Sequence, residues 1–70
     1  MDLENFYIEI GKNIKRCRKA AGLTQEQLAE KADISLDFMS KIEVNISKPG
    51  LKTIFKLAAA LDISPAEFFK

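Results

Sequence analysis

Two short helix-forming segments in the middle of the chain are separated by about three residues. The first begins at a capping box, Thr24-Gln25-Glu26-Gln27, in which the Thr24 hydroxyl accepts from the third helical amide while Gln27 reaches back to the cap amide. The second follows Ser35, an N-cap residue, and has Asp37 in its first turn, where a negative charge suits the helix dipole. A connection this short turns the second helix at a large angle across the first, which predicts a helix-turn-helix over about residues 24–44. Spacing alone also allows the corner of an ordinary three-helix bundle.

Three further segments have the pattern of helices. Residues 3–21 carry apolar side chains at intervals of three and four, and Gly22 supplies the left-handed residue that commonly ends a helix. Residues 51–61 repeat this periodicity after a loop at 46–50. A last short helix is indicated by Ser64-Pro65-Ala66-Glu67, with an N-cap serine, a proline at the first position and a glutamate at the third. The sequence therefore predicts an all-α domain of five helices.

Size and composition exclude several classes of protein. Seventy residues make one domain, residues 1–70, near the lower end of what folds without disulfides or metal. With Cys17 as the only cysteine and no histidine, an internal disulfide, a zinc site of the ordinary Cys/His kind and a histidine-based catalytic triad are all excluded. We expect no catalytic residues, no metal and no cofactor, and we expect Cys17 to lie in the core. No stretch has the character of a signal peptide or the length of a membrane span, which predicts a cytoplasmic protein without a membrane partner.

Charge is unevenly distributed although the net charge is only +1. The first ten residues carry three acids, whereas residues 11–23 carry five bases and no acid. Because binding to phosphate depends on the local field where lysine and arginine cluster, a nearly neutral chain can still have a basic face. The charge pattern is therefore compatible with a nucleic-acid partner.

The segment from Gly22 to Ala32, followed by Ile34-Ser35 and by Met39-Ser40-Lys41-Ile42-Glu43, resembles the lambda-repressor/Cro helix-turn-helix family, also called the xenobiotic-response-element family. The resemblance rests on a Thr-Gln entry, a small residue four positions after the Gln, a hydrophobic-Ser turn and a Ser-x-Ile-Glu exit. It extends over about residues 10–69. It implies a five-helix, lambda-repressor-like domain that binds a palindromic DNA operator as a homodimer and regulates transcription, with no small-molecule ligand.

The resemblance also implies which side chains read the bases. The second helix of the motif would lie in the major groove, with the residues of its first turn and one turn later facing the base edges. Leucine can meet a thymine methyl, aspartate can accept from a cytosine amino group and lysine can donate to guanine. The residues at these positions are Leu36, Asp37, Ser40 and Lys41. For Asp37 an alternative is that it only complements the dipole of its own helix, and Phe38 is interpreted as a packing residue.

Phosphate contacts would come from residues before and after this helix in the chain. Gln25, at the N-terminus of the first helix of the motif, would bind a backbone phosphate with the help of the exposed amides there. Further contacts would come from the loop after the recognition helix and from the start of the next helix, namely Asn45, Ser47, Lys48, Lys52 and Thr53. In this family a glutamate at the position of Glu43 commonly pairs with an arginine at the position of Arg18, so we expect a structural ion pair between them.

The C-terminal residues suggest how two copies could associate. Adjacent helical residues point about 100° apart, so one of Phe68 and Phe69 can cover the core while the other faces outward. An exposed aromatic side chain next to Leu61 is a plausible centre for a twofold interface. The expected dimer interface is therefore Leu61, Phe68 and Phe69, with closure of a small core by both rings as the alternative.

Two readings of function remain. The chain is similar to the small controller proteins of restriction-modification systems and to compact phage or plasmid repressors, which favours a DNA-binding regulator. The alternative is a protein-interaction module, for instance an antitoxin-like partner that uses the same fold, because Leu36 and Phe38 lie on the predicted DNA-binding face.

Overall fold

The computed structural model describes residues 2–70, which form four α-helices and one 3-10 helix, with no strand among them. The α-helices are α1 (Leu3–Ala20), α2 (Gln25–Ala32), α3 (Leu36–Glu43) and α4 (Leu51–Leu61). The predicted all-α fold is confirmed. The fifth predicted helix is a single 3-10 segment, Pro65–Phe69, a form that is common in short helical pieces.

The ends of the helices follow the local sequence. Thr24 and Gln27 form the complete capping box at the start of α2, and the Ser35 hydroxyl accepts from the Phe38 amide at the start of α3. Between them, Asp33 adopts the left-handed conformation with φ 57°, as a tight turn requires of a residue tolerant of positive φ. Gly22 does the same after α1, with φ 74°. These local signals set α2 against α3 in the predicted helix-turn-helix arrangement.

The core contains side chains from every helix. Its largest fully buried members are Ile14, Leu28, Met39, Ile42, Leu57 and Phe68. Cys17 is half-buried at the edge of this core, in agreement with its position on the apolar face of α1. No helix within residues 2–70 is both long enough and apolar enough to cross a bilayer.

The C-terminal segment folds back onto α1 and corrects the predicted dimer interface. The Asn13 amide donates to the main-chain oxygens of Phe68 and Lys70 at 3.0 and 3.1 Å, which holds the 3-10 helix against α1. Phe68 consequently has no exposed surface, and Leu61 is also buried. The prediction that these two residues form an intermolecular interface is wrong, since both are used by the core of one chain. Phe69 is 48% exposed and stacks on Phe6 with ring centroids 5.9 Å apart.

Helices α1 and α3 approach so closely that only a glycine fits between them. Gly11 is buried in the middle of α1. A Cβ atom at this position would lie 2.8 Å from the carbonyl oxygen of Ile42, in the last turn of α3. The absence of a side chain at Gly11 therefore sets the position of α3 relative to the longest helix.

Candidate nucleic-acid interface

The outer face of α3 carries the four residues that were predicted to read bases. Leu36 is 46% exposed and the Asp37 side chain is 75% exposed, while Ser40 and Lys41 are half-buried one turn further on. Lys41 Nζ lies 2.9 Å from Asp37 Oδ2, and the Ser40 hydroxyl donates to the Asp37 carbonyl at 3.0 Å. The structure thus brings the four side chains onto one helix surface. Phe38, by contrast, packs against the core as a packing residue should.

A buried ion pair fixes α3 to the rest of the domain. Arg18 donates from Nε to Glu43 Oε2 at 2.7 Å and from Nη2 to Glu43 Oε1 at 3.0 Å. Its third nitrogen, Nη1, donates to the Leu23 carbonyl at 2.8 Å, so the guanidinium spans α1, the loop before α2 and the end of α3. The Glu43 side chain is only 1% exposed. This bidentate geometry is the strong form of an arginine-carboxylate contact.

The electrostatics of the pair agree with its geometry. Burial raises the pKa of Glu43, but hydrogen bonds from Arg18 and Gln25 and the positive charges of Arg18 and Lys15 outweigh it, so this pKa lies below its ordinary value of 4.5. The hydrogen bond to Glu43 raises the pKa of Arg18, against the opposing effect of burial. Both side chains are therefore charged at neutral pH.

Gln25 has a partner that sequence reasoning missed. Its Nε2 donates to Glu43 Oε1 at 2.9 Å, so the side chain predicted to bind phosphate is also the third donor to the buried carboxylate. Gln25 is the first residue of α2, and the helix end beside it carries the exposed capping box of Thr24 and Gln27. The pair of Arg18 and Glu43 is thereby linked directly to the N-terminus of α2. A bond between residues 18 positions apart leaves no signal in the local sequence.

The loop after α3 is folded around the helix end. The amides of Ile46 and Ser47 donate to the Lys41 carbonyl at 2.8 and 3.1 Å, and Asn45 adopts the left-handed conformation with φ 62°. Lys48 is exposed in this loop. Lys52 and Thr53 follow in the first turn of α4, the first exposed and the second half-buried. The residues after α3 that were predicted to contact phosphate thus lie in one loop and in the first turn of α4.

Helix α4 has an exposed apolar stripe that was not assigned a role from the sequence. Leu51 is 85% exposed and Phe55 is 67% exposed. They are four residues apart, so they share one face of the helix, and Ala59 continues that face one turn later. A loop of seven residues separates the stripe from α3, so it lies close in the chain to the predicted DNA-reading helix.

Four α-helices share one core, a tight turn with a left-handed Asp33 joins α2 to α3, and the outer face of α3 is exposed. These features define a helix-turn-helix domain. The Helix-turn-helix family model matches residues 14–68, and the chain belongs to this family.

Two relatives illustrate the range of the family. The chain is 44% identical to the immunity repressor protein of Bacillus phage phi105 over 54 residues, which are 77% of this chain and 38% of the repressor. It is 39% identical to the HTH-type transcriptional regulator SinR of Bacillus subtilis over 56 residues, 79% of this chain and 50% of SinR. The chain therefore spans half or less of the length of these two relatives.

A solved structure matches over a larger share of its own length. The restriction-modification controller protein C.AhdI from Aeromonas hydrophila has 35% identity and a TM-score of 0.87, covering 90% of this chain and 96% of its own. The resemblance to the lambda-repressor/Cro family is confirmed, and relatives of both expected kinds, a phage repressor and a controller protein, are found.

Proposed function

We propose that this protein is a sequence-specific DNA-binding regulator of transcription that places α3 in the major groove of a palindromic operator and acts as a homodimer. The observation that carries the proposal is the exposed outer face of α3, preceded in the chain by the capped start of α2 and followed by the loop at 45–48. The immunity repressor and transcriptional regulator among its relatives support a role in transcription.

Base recognition in this proposal depends on the outer face of α3. Leu36 would contact a thymine methyl, and Lys41 would donate to a guanine after leaving Asp37. Asp37 would then be able to accept from a cytosine amino group. The Ser40 hydroxyl, which can donate and accept, would bond to a donor or to an acceptor on a base edge. Because Lys41 and Asp37 neutralise each other in the free protein, DNA must replace a surface ion pair, which contributes little and is easily broken.

Phosphate binding would position this helix on the duplex. The N-terminus of α2 has the positive end of the helix dipole and exposed amides, and Gln25 stands at its first position. Further phosphates would be bound by residues of the loop after α3 and the first turn of α4, namely Asn45, Ser47, Lys48, Lys52 and Thr53. These contacts give affinity without sequence information, whereas contacts to bases give specificity.

Alanine at Lys41 and at Lys48 should affect DNA binding in different ways. Lys41→Ala should relax the preference at one base position and weaken the best site by about 1 to 3 kcal/mol. Lys48→Ala should weaken all sequences alike and reduce the salt slope by about one unit. The measurement is selection of bound sequences from a random DNA pool, followed by titration of the selected site and of random duplexes at several salt concentrations.

Lys31→Ala is the matched control, because Lys31 is an exposed lysine in the last turn of α2, at the opposite end from Gln25. It should leave both affinity and selectivity close to wild type. Equal losses on selected and random DNA for both Lys41→Ala and Lys48→Ala would remove Lys41 from the reading residues. If the pool yields no preferred sequence and random DNA is not bound either, the protein-interaction module becomes the better reading, with exposed Leu36 as its contact.

Dimerisation in this proposal uses the apolar stripe of α4 rather than the C-terminal segment. In this proposal a twofold axis beside Leu51 and Phe55 pairs the two α4 helices and sets the two α3 helices on one side of the dimer. Paired helices of this kind reach major grooves about 34 Å apart on one face of the duplex. Leu51 and Phe55 are each more than half exposed. Burying both in an interface would remove apolar surface whose exposure to water is unfavourable.

Sedimentation equilibrium of two matched variants tests this surface. Phe55→Gln should shift the protein towards monomer, whereas Phe69→Gln should not, because each removes one exposed aromatic ring but only Phe55 lies on the proposed interface. Loss of the dimer in Phe69→Gln alone would instead return the interface to the C-terminal residue originally expected. A wild-type protein that stays monomeric at high concentration would exclude both surfaces.

A further inference from the structure

Glu4, in the first turn of α1, contacts two of the residues proposed to bind DNA phosphate. Its Oε1 accepts from the side-chain amide nitrogen of Asn45, Nδ2, at 3.0 Å, and its Oε2 lies 3.7 Å from Lys48 Nζ. Lys48 Nζ also lies 5.6 Å from the centroid of the Tyr7 ring, a cation-π contact on the same helix. Lys48 and Asn45 are therefore directed towards the N-terminal end of α1 in the free protein.

The carboxylate of Glu4 offers Asn45 and Lys48 the same kind of partner as a DNA backbone phosphate would. Both groups are anionic and present at least two acceptor oxygens, and both suit an amide donor and an ammonium donor placed side by side. The contacts of Glu4 with Asn45 and Lys48 join residues more than 40 positions apart, so they are features of the tertiary structure and not of the loop alone.

We infer that Glu4 is an intramolecular competitor for the phosphate-binding side chains Asn45 and Lys48 and so sets the DNA affinity of this domain. The inference rests on the proposed DNA-binding function. Glu4 and Lys48 are both substantially exposed, so their ion pair stabilises the fold little and can be replaced by a phosphate. A phosphate bound at Lys48 would then stand close to the carboxylate, and the repulsion between the two anions opposes binding.

The opposite role, in which Glu4 orients Lys48 and Asn45 for DNA, predicts the opposite sign. An organising residue lowers the entropy that the two side chains lose on binding, so its removal weakens the complex. A competing residue adds an anion beside the phosphate, so its neutralisation strengthens the complex. Glu4→Gln separates these cases because it removes the charge and keeps an oxygen that can accept from Asn45.

The experiment measures binding of wild type, Glu4→Gln and Glu9→Gln to short duplexes of random sequence at about 50 mM and again at about 200 mM salt. Glu9 is the matched control: it is an exposed glutamate of the same helix, paired with Lys12 at 3.7 Å and not with Asn45 or Lys48. We expect Glu4→Gln to bind about threefold to fivefold more tightly at low salt, the size of one solvent-exposed charge contact. The gain should shrink at the higher salt because the repulsion is screened.

A second comparison tests whether the effect passes through Lys48. In a Lys48→Ala background, most of the gain from Glu4→Gln should disappear, whereas a general effect of net charge would persist. Unfolding curves of each variant, recorded by circular dichroism, verify that all of them are folded at the temperature of the titration.

Several results would overturn the inference. Equal gains in Glu4→Gln and Glu9→Gln would show a general effect of charge, and unchanged or weaker binding of Glu4→Gln would exclude competition. Either result leaves the proposed function intact as long as the wild type binds DNA and Lys48→Ala weakens that binding. Wild-type protein that does not bind DNA even at low salt would overturn the proposed function itself, and the inference with it.

Discussion

Replacing Glu43 with alanine should lower the free energy of unfolding by about 3 to 5 kcal/mol, the range for breaking a buried ion pair by removing one partner. Arg18 is only 7% exposed, and the substitution removes both carboxylate oxygens that accept from its guanidinium group. It also removes the acceptor of the Gln25 amide. Chemical denaturation monitored by circular dichroism measures the loss. Glu9→Ala, which breaks an exposed pair with Lys12, is the control and should change stability by at most about 0.5 kcal/mol.

Arg18→Ala should destabilise by a similar amount, because it leaves the Glu43 carboxylate buried and frees the Leu23 carbonyl of its donor. The double variant should lose less than the sum of the two single losses, since the second removal no longer leaves an unpaired charge. Strictly additive losses would contradict a direct interaction of the two side chains.

The lowered pKa of Glu43 gives the same pair a predictable response to acid. Because the pKa of Glu43 is lower in the folded than in the unfolded chain, its contribution to stability is complete above the ordinary value of 4.5 and is lost as pH falls through the folded value. The stability difference between wild type and Glu43→Gln should therefore narrow below about pH 4.5. A difference that stays constant over this range would show that the charge of Glu43 is not what stabilises the fold.

Most of the fold is predictable from local signals because helix ends are governed by neighbouring residues. The capping box at Thr24, the N-cap at Ser35 and the left-handed Asp33 each act over three or four residues, and the observed helix-turn-helix follows from them. The helical character of residues 65–69 was also predicted, but not its type. A 3-10 helix forms there because its short segment docks on α1 through Asn13, a contact between distant residues.

The interface residues depend more heavily on distant contacts. Leu51 and Phe55 belong to the apolar pattern of residues 51–61, but both are exposed, since the apolar residues of that helix cover more of its circumference than the core can bury. The contacts of Glu4 with the loop after α3 and of Gln25 with Glu43 are likewise tertiary. Gly11 did carry a signal, because a glycine inside a helix is unfavourable by about 1 kcal/mol relative to alanine. That unfavourable choice is explained by the close approach of α3.

Gly11→Ala should destabilise the protein by about 2 kcal/mol or more, although alanine is the better helix former. The new Cβ would lie 2.8 Å from the Ile42 carbonyl oxygen, a main-chain atom that no side-chain rotation can move away. Relief requires that α3 shift relative to α1, and the bidentate contact between Arg18 and Glu43 resists that shift. In a domain of this size the loss corresponds to a fall in Tm of about 10 °C, which a thermal unfolding curve detects directly.

The same substitution should weaken DNA binding at temperatures where the variant is still folded, because the helix that must shift is the proposed recognition helix. Gly50→Ala is the matched control. Gly50 has an ordinary φ of −82°, and a Cβ there would meet no atom within 4 Å, so its effect should be limited to about 0.5 to 1 kcal/mol, by which alanine is a poorer N-cap than glycine. A Gly11→Ala protein as stable as wild type would show that helix propensity outweighs the contact, and that α1 and α3 can separate without loss. A destabilised variant with undiminished DNA affinity would show instead that the strain is absorbed in α1, away from the surface that contacts DNA.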